Sequence, residues 1–573
     1  MVIERINKSN ASEQNTQKNS DTIYAIICFI LLLLSTGVFI SDEEGLTDWG
    51  LRLSSIAISI LVMTCFKKNF CFVASNNVVI ALILCLSLCT ISDILNQSLS
   101  TDVVAKWLLL CLTAILAFQI DSKIWSKALS LFSLFTSIIV LFNWLGVVNI
   151  QLFDNPVGYA STITLCMPFI IHFERNKLLR ITCCVIGVVA IICLQSRCCV
   201  LALIVFFIYY YMPNIKCYLK AKRHKIIYFM CIAIAFILCI GGLYTAKLDS
   251  ANGRLLIWQT LVEMSTQSIW WGWGSNAILA HYMPTQANIL SSYNHVYQSW
   301  LADDVTHSFC EPLGIVVRYG IIGCTSFLVF MYWVYRNTPA SNKKIFISVT
   351  TIWFVIALFS YPTYYATVSI IIVISCAVMQ RTKSITATYM QILPIHFLCI
   401  AFIILSVHRM YYEYKWLILY SKTDLDEKNA TEAYNNLYSH LYHYPQFVYA
   451  YAVVCNLNGN ASKSDSLYIT LQHKINNYDT QLLHADNALT LHHYAFATDA
   501  FTKAHLMVPN RFMPLYGLMQ TYIQQGDTIQ AQNIARQIVV KNIKIKSSEV
   551  DMIKYEAKKI LEQCKGVDPN SYK

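Results

Sequence analysis

Three polar side chains, Arg197, Arg254 and His307, have types that could perform chemistry in a chain that is otherwise strongly apolar. Arg254 lies in the longest polar stretch, from about Tyr244 to Tyr319. A guanidinium binds a diphosphate through paired hydrogen bonds and never loses its charge. Arg254 could therefore be a fixed cation for a diphosphate. The alternative is an arginine that reaches lipid headgroups from the edge of a membrane.

Arg197 lies in a short polar turn between two apolar segments, in the sequence Gln195-Ser196-Arg197-Cys198-Cys199. An arginine at membrane depth is costly unless it is paired or faces a polar cavity. The default interpretation is a ligand site, and the alternative is a structural ion pair.

His307 is notable for its neighbours Asp303, Asp304 and Glu311. A carboxylate can orient the histidine ring, so that the ring accepts a proton from a substrate. Glu311 would share a face with His307 if this stretch were helical. The same cluster could instead hold a divalent cation, but a single histidine without a second ligand motif makes metal the weaker choice. Lone histidines are also often structural.

The composition indicates where these residues must act. Of the 573 residues, 56% are apolar and only 13% are charged, and the mean hydropathy is +0.48. A soluble protein of this length has about a quarter of its residues charged. The net charge of +11 comes from short basic clusters between apolar segments, which argues against a nucleic-acid partner. Most of the 21 cysteines lie inside apolar segments, as small apolar residues.

The apolar segments predict an all-α polytopic membrane protein, because a bilayer core of about 30 Å needs about 20 apolar residues per helix. We expect about 12–13 transmembrane helices. They are predicted near residues 22–40, 51–66, 71–92, 104–120, 128–146, 158–173, 181–195, 199–212, 226–243, 314–335, 345–360, 364–380 and 387–407. The first is expected to be retained and not cleaved as a signal peptide.

The basic residues predict the orientation of the chain. Alternate connections carry them, beginning with Lys67 and Lys68, whereas the intervening connections carry almost none. Lysine and arginine accumulate on the cytoplasmic side, so residues 1–21 are expected there. An odd number of spans then puts the loop 244–313, and everything after residue 407, on the extracytoplasmic side.

The polar C-terminal region, residues 408–573, has an internal repeat. Ala497, Phe501, Ala504 and Pro509 fit the second helix of a tetratricopeptide unit, and Ala531 follows Ala497 by 34 residues. The alternative is a generic helical bundle. In both cases the region is expected to bind a partner protein more than to perform chemistry.

Several segments resemble motifs of the O-antigen ligase and O-antigen polymerase superfamily of bacterial envelope enzymes. They are NGRLLIWQTLVEM (252–264), GWGSNA (272–277), DDVTHSFCEPLGIVVRYGIIG (303–323), LQSRCCVLAL (194–203) and FDNPVGYAST (153–162). The similarity extends over about residues 20–410. One departure is Cys310, which stands where many members have asparagine.

The resemblance implies a membrane domain of the GT-C-like class over residues 22–407 and an inner-membrane location. It implies metal-independent, inverting glycosyl transfer from an undecaprenyl-diphosphate-linked glycan to an acceptor hydroxyl, without a cofactor. Arg197 and Arg254 would bind the donor diphosphate, and His307 would accept the acceptor's proton. Asp303, Asp304 or Glu311 would orient His307 or the sugar. The acceptor would be lipid A-core, a glycan or a protein, and membrane lipids would surround the donor's polyprenyl tail.

The same resemblance leaves several activities open. A ligase for lipopolysaccharide, a repeat-unit polymerase and a protein O-oligosaccharyltransferase share these motifs. A transporter of the lipid-linked sugar would instead predict charges near the middle of several spans and internal symmetry. If the protein were a scaffold, Arg197, Arg254 and His307 would have no function.

Overall fold

A computed structural model describes residues 21–37, 49–65, 75–220, 241–242, 245, 248–292, 296–380, 389–421 and 427–563. Within these residues the protein is helical and contains no strand. Seven helices are long and apolar enough to cross a membrane, and four shorter apolar helices accompany them. The prediction of an all-α polytopic membrane protein is confirmed.

The membrane domain contains fifteen described helices. The first eight are α1 Asp21–Leu34, α2 Trp49–Cys65, α3 Asn76–Leu95, α4 Thr101–Gln119, α5 Ser122–Trp144, α6 Pro156–Phe173, α7 Lys177–Cys193 and α8 Arg197–Lys220. The others are α9 Leu248–Gln267, α10 Met283–Ser292, α11 Val296–Leu301, α12 Glu311–Asn337, α13 Ala340–Phe359, α14 Ala366–Met379 and α15 Tyr389–Tyr420. A π-helical turn, Ile278–Tyr282, precedes α10, and a short 3-10 turn, Pro362–Tyr364, lies between α13 and α14.

Each predicted span with described residues coincides with one of these helices, whereas the predicted span 226–243 lies almost wholly outside the described residues. The helix α15 continues without a break through the predicted boundary at residues 407 and 408, and ends at Tyr420. The C-terminal region is thus connected to the membrane domain by a continuous helix.

The helix α6 is the centre of the membrane domain and is buried along most of its length. It packs against α5, α7, α8, α13 and α14. Gly187 of α7 allows close approach, since a Cβ there would press on Met167 and Ile163 of α6. Asn155 caps the N-terminus of α6 by accepting a hydrogen bond from the Val157 amide at 2.9 Å. This cap fixes the loop that precedes α6 at one end of the bundle.

The two ends of the bundle differ. The connections predicted to lie on the extracytoplasmic side meet at one end, where Asn155 donates to the Tyr361 hydroxyl at 3.2 Å. At the other end, Lys127 donates to Thr22 at 3.1 Å, and Lys344 lies 4.0 Å from the centre of the Tyr210 ring. The alternation of basic and non-basic connections therefore matches two physical ends of the domain.

The C-terminal region consists of helices in which each packs against the next along the chain. They are α16 Glu427–Leu441, α17 Pro445–Leu457, α18 Ala461–Leu471, α19 Tyr478–Thr490, α20 Tyr494–Met507, α21 Met513–Gln525, α22 Thr528–Val540 and α23 Ser548–Gln563. The small residues of the repeat, Ala497, Ala504 and Ala531, are buried. The tetratricopeptide assignment itself stays a prediction.

Candidate active site

A kink in the helix α12 is joined by hydrogen bonds to a tight turn that precedes it in sequence. Gly320, at φ +64°, interrupts the helical path of α12. In a continuous helix the Ile321 amide would bond to the Val317 carbonyl, and the Ile322 amide to the Arg318 carbonyl. The interruption breaks both bonds. A turn over residues 269–274, the tryptophan turn, supplies a partner to each freed group. The four bonds are Trp273 N–H to Val317 O at 2.9 Å, Gly274 N–H to Arg318 O at 2.8 Å, Ile321 N–H to Ile269 O at 2.9 Å and Ile322 N–H to Trp270 O at 3.3 Å.

The end of α3 holds the same junction through its side chains. Ser92 donates to Trp271 O at 2.5 Å, and Asn96 donates to Gly272 O at 3.2 Å. The buried Asp93 accepts the Ser275 amide at 2.6 Å. Three distant segments are therefore fixed together, and this junction sets the position of Arg318 in α12.

Replacing Gly320 with alanine should disrupt this junction. A Cβ at Gly320 would overlap the carbonyl oxygen of Trp270, and a positive φ is itself unfavourable for alanine. We expect a loss of about 2–4 kcal/mol of stability, the sum of overpacking and backbone strain. Thermal unfolding in detergent would measure it. Gly526→Ala is the matched control, because Gly526 also has positive φ (+76°) but nothing lies near its Cβ position. Equal stability of the two variants would contradict this account of the junction.

One face of α9 points to the site. Ser250, Arg254 and Trp258 are spaced by four residues and share this face. Arg197, at the start of α8, donates to the Ser250 hydroxyl at 3.2 Å. Trp258 packs against Phe359 at the end of α13, with 6.0 Å between ring centres. The structure thus brings Arg197 close to the face of α9 that carries Arg254.

Arg254 is half-buried, and no described carboxylate forms an ion pair with it. Burial lowers the pKa of Arg254, and the nearby positive charge of Arg197 lowers it further. Two guanidinium groups in one location attract an anion such as a diphosphate.

His307 lies against two tyrosine rings. Its ring centre is 4.1 Å from that of Tyr361 and 4.4 Å from that of Tyr364. Both tyrosines belong to the tyrosine turn, residues 361–365, between α13 and α14. Glu311 holds this turn, accepting the Thr363 amide at 2.7 Å and also a bond from the Thr363 hydroxyl.

The charges around His307 favour its neutral form. Burial, followed by the positive charge of Arg318, lowers the pKa of His307 to about 4. Lys106 also lowers this pKa, whereas the carboxylate of Asp154 raises it. A neutral imidazole at physiological pH can accept a proton, which a general base requires.

Two of the acids that were expected to orient His307 lie elsewhere. Asp304 accepts a hydrogen bond from Asn477 at 3.1 Å, and Asp303 lies 3.7 Å from Arg511, so both contact the C-terminal region. Burial, aided by Asp479, raises the pKa of Asp304 to about 6. Among the described contacts of His307, neither acid orients its ring, and the cation-binding alternative loses two of its ligands. Residues 302–310 are not helical, so His307 and Glu311 do not share a helix face. Glu311 is instead linked to His307 through the tyrosine turn, which it holds at Thr363.

Sequence reasoning missed four residues of this site: Lys106, Asp154, Arg318 and Tyr361. Tyr361 is central, since it contacts His307, bonds to Asn155 and lies in the electrostatic reach of Arg254. The run Tyr-Pro-Thr-Tyr-Tyr at the end of a span was its available signal, because aromatic residues with a polar tip gather at such ends.

Part of this chain matches a known protein family, and the matched residues include most of the site. Residues 182–328, about a quarter of the chain, match the family model described as O-antigen ligase. Residues 182–328 are therefore similar to an O-antigen ligase domain. Arg197, Arg254, His307 and Arg318 lie inside the match, whereas Asp154 and Tyr361 lie outside it. Among curated proteins, none matches the chain. The similarity to an O-antigen ligase domain supports a glycosyltransferase that uses a lipid-linked glycan in surface polysaccharide assembly.

Proposed function

We propose that the protein transfers a glycan from an undecaprenyl-diphosphate-linked donor to an acceptor hydroxyl, most simply as a ligase of lipopolysaccharide. The reaction would take place at the outer face of the bacterial inner membrane. The observation that carries the proposal is that Tyr361 contacts His307 and lies within the electrostatic reach of Arg254, at the end of the membrane domain where Arg197 also lies.

Arg254 and Arg197 would bind the diphosphate of the donor. As the bond between the sugar's anomeric carbon and the phosphate oxygen breaks, negative charge grows on the diphosphate. A fixed cation in a partly buried site stabilises that charge without reorganisation. The exposed apolar surfaces of the spans would accommodate the polyprenyl tail.

His307 would accept the proton of the acceptor hydroxyl while the acceptor oxygen bonds to the anomeric carbon. The electron pair of the broken bond leaves with undecaprenyl diphosphate. Attack opposite the leaving group inverts the anomeric centre. The neutral ring and its contacts with the rings of Tyr361 and Tyr364 support this role.

Chelation of divalent cations should leave the activity unchanged. The two arginines would carry the charge that a cation supplies in many soluble transferases. The measurement is transfer by purified protein with and without EDTA. Loss of activity in EDTA and its return with magnesium or manganese would contradict the proposal, and would make acids near the site metal ligands.

The proposed orientation places the N-terminus in the cytoplasm and the C-terminal region outside it. Reporter fusions at Asn19 and Lys573 should therefore report opposite compartments. The same compartment for both fusions would contradict the proposed topology and, with it, the location of the site.

The acceptor distinguishes the candidate activities, because a ligase, a polymerase and a protein O-oligosaccharyltransferase could use the same donor chemistry. Deletion of the gene, with complementation by wild-type protein or by Arg254→Lys, separates them. Surface lipopolysaccharide without attached glycan would support a ligase. Short glycan chains would indicate a polymerase, and secreted proteins without sugar would indicate a protein transferase. Normal glycans of all three kinds would contradict the proposed function.

A further inference from the structure

Asp154 lies at the tyrosine turn because both of its neighbours in sequence contact that turn. The Phe153 ring lies 5.3 Å from the Tyr365 ring, edge to face. On the other side, Asn155 donates to the Tyr361 hydroxyl at 3.2 Å. Tyr361 in turn lies 4.1 Å from His307, measured between ring centres. The backbone of Asp154 is therefore fixed next to the candidate base.

Asp154 carries a carboxylate that acts on the tyrosine turn. Its side chain is exposed, and it forms no ion pair within the described part of the chain. Burial raises the pKa of Tyr361 and of Tyr365, and the charge of Asp154 raises both further. At His307, whose pKa burial lowers, the same charge acts in the opposite direction and favours the protonated ring. The position just before the N-terminus of α6 also favours an anion.

The other charged groups near His307 cannot take this role. Arg318 of α12 and Lys106 of α4 are cations, which oppose the protonation of His307. Glu311 is engaged by Thr363. Arg254 of α9, which acts on Tyr361, is also a cation. Asp303 and Asp304 contact the C-terminal region.

We infer that Asp154 is the carboxylate that stabilises protonated His307 during transfer. This inference rests on the proposed function. When the acceptor hydroxyl gives its proton to His307, an imidazolium forms beside two cations. The Asp154 carboxylate offsets that charge, and the ring afterwards releases the proton to water. Asp154 is thus a positioning residue that acts through His307. It takes the role that the sequence suggested for Asp303, Asp304 or Glu311.

The substitution Asp154→Asn keeps the shape of the side chain and removes its charge. We expect transfer to fall by about 10–10³-fold. The affinity for the lipid-linked donor should change by less than about threefold, because Arg197 and Arg254 are untouched. The acid limb of the pH profile of kcat/KM should move to lower pH, since His307 loses an anion that favours its protonated form. Asp154→Glu should recover part of the rate. Asp249→Asn, an exposed acid at the same end of the domain, is the control and should change transfer by less than about twofold.

The double variant His307→Ala/Asp154→Asn identifies the route of the effect. If Asp154 acts through His307, the double variant should transfer no more slowly than His307→Ala alone. Full activity of Asp154→Asn together with an inactive His307→Ala would overturn this inference and leave the proposed function standing. A lower unfolding temperature with an unmoved pH profile would also overturn it. Full activity of His307→Ala would instead refute the proposed function.

Discussion

Replacing His307 with alanine should lower the rate of glycan transfer by about 10²–10⁴-fold, the usual contribution of a general base. The affinity for the lipid-linked donor should stay nearly constant, because the diphosphate would still contact Arg197 and Arg254. Donor binding and single-turnover transfer, measured on the same preparation, separate the two quantities. A parallel loss of binding and rate would mean that His307 only packs the loop.

The wild-type rate should also depend on pH in a defined way. His307 must be neutral to accept a proton, and its pKa is lowered to about 4 by burial and by Arg318. The rate should therefore rise with pH through about 4 and be level from about pH 5.5 upward. A limb centred on the ordinary histidine value, near 6.5, would contradict the environment described for His307.

Replacing Arg254 with lysine should remove most of the activity although the charge is kept. A compact ammonium cannot make the paired contacts of a guanidinium to a diphosphate. The loss of one charge-assisted hydrogen bond, about 1.5–3 kcal/mol, corresponds to about 10–10²-fold in rate. Transfer assays on purified protein in detergent would measure this loss.

Arg536→Lys is the matched control for this substitution. Arg536 lies on the exposed face of α22, and its bonds to described residues are with side chains of its own helix, so the rate should change by less than about twofold. Near-native turnover of Arg254→Lys would return Arg254 to the role of a headgroup-binding arginine.

The helices were predictable from the sequence because a bilayer allows few solutions. Within the membrane, backbone groups must bond inside their own helix, so apolar runs of sufficient length become helices wherever they occur. The positions of Arg197, Arg254 and His307 at one end followed from the alternation of basic connections. The junction between the tryptophan turn and the kink in α12 did not follow. Its glycines are visible in the sequence, but their partners are set by packing.

Asp303 and Asp304 contact the C-terminal region and not His307 for a local reason. Residues four apart meet only in a helix, and the stretch before α12 is not helical: Phe309 has φ +46°, and Cys310 is extended. Pro312 favours a helix that begins there and not upstream. Asp303 and Asp304 are then free to contact the C-terminal region. Asp154 lies more than 150 residues from His307 in sequence, so only the packing of α6 beside the tyrosine turn brings it near.

Reconstituted transfer, with both products analysed, tests the central claim most directly. Purified protein would be given an undecaprenyl-diphosphate-linked glycan and an acceptor carrying a free hydroxyl. We predict one undecaprenyl diphosphate released for each glycan transferred, with an inverted anomeric centre, and a loss of both products in His307→Ala. Retention of the donor's anomeric configuration, or undiminished transfer by His307→Ala, would contradict the account.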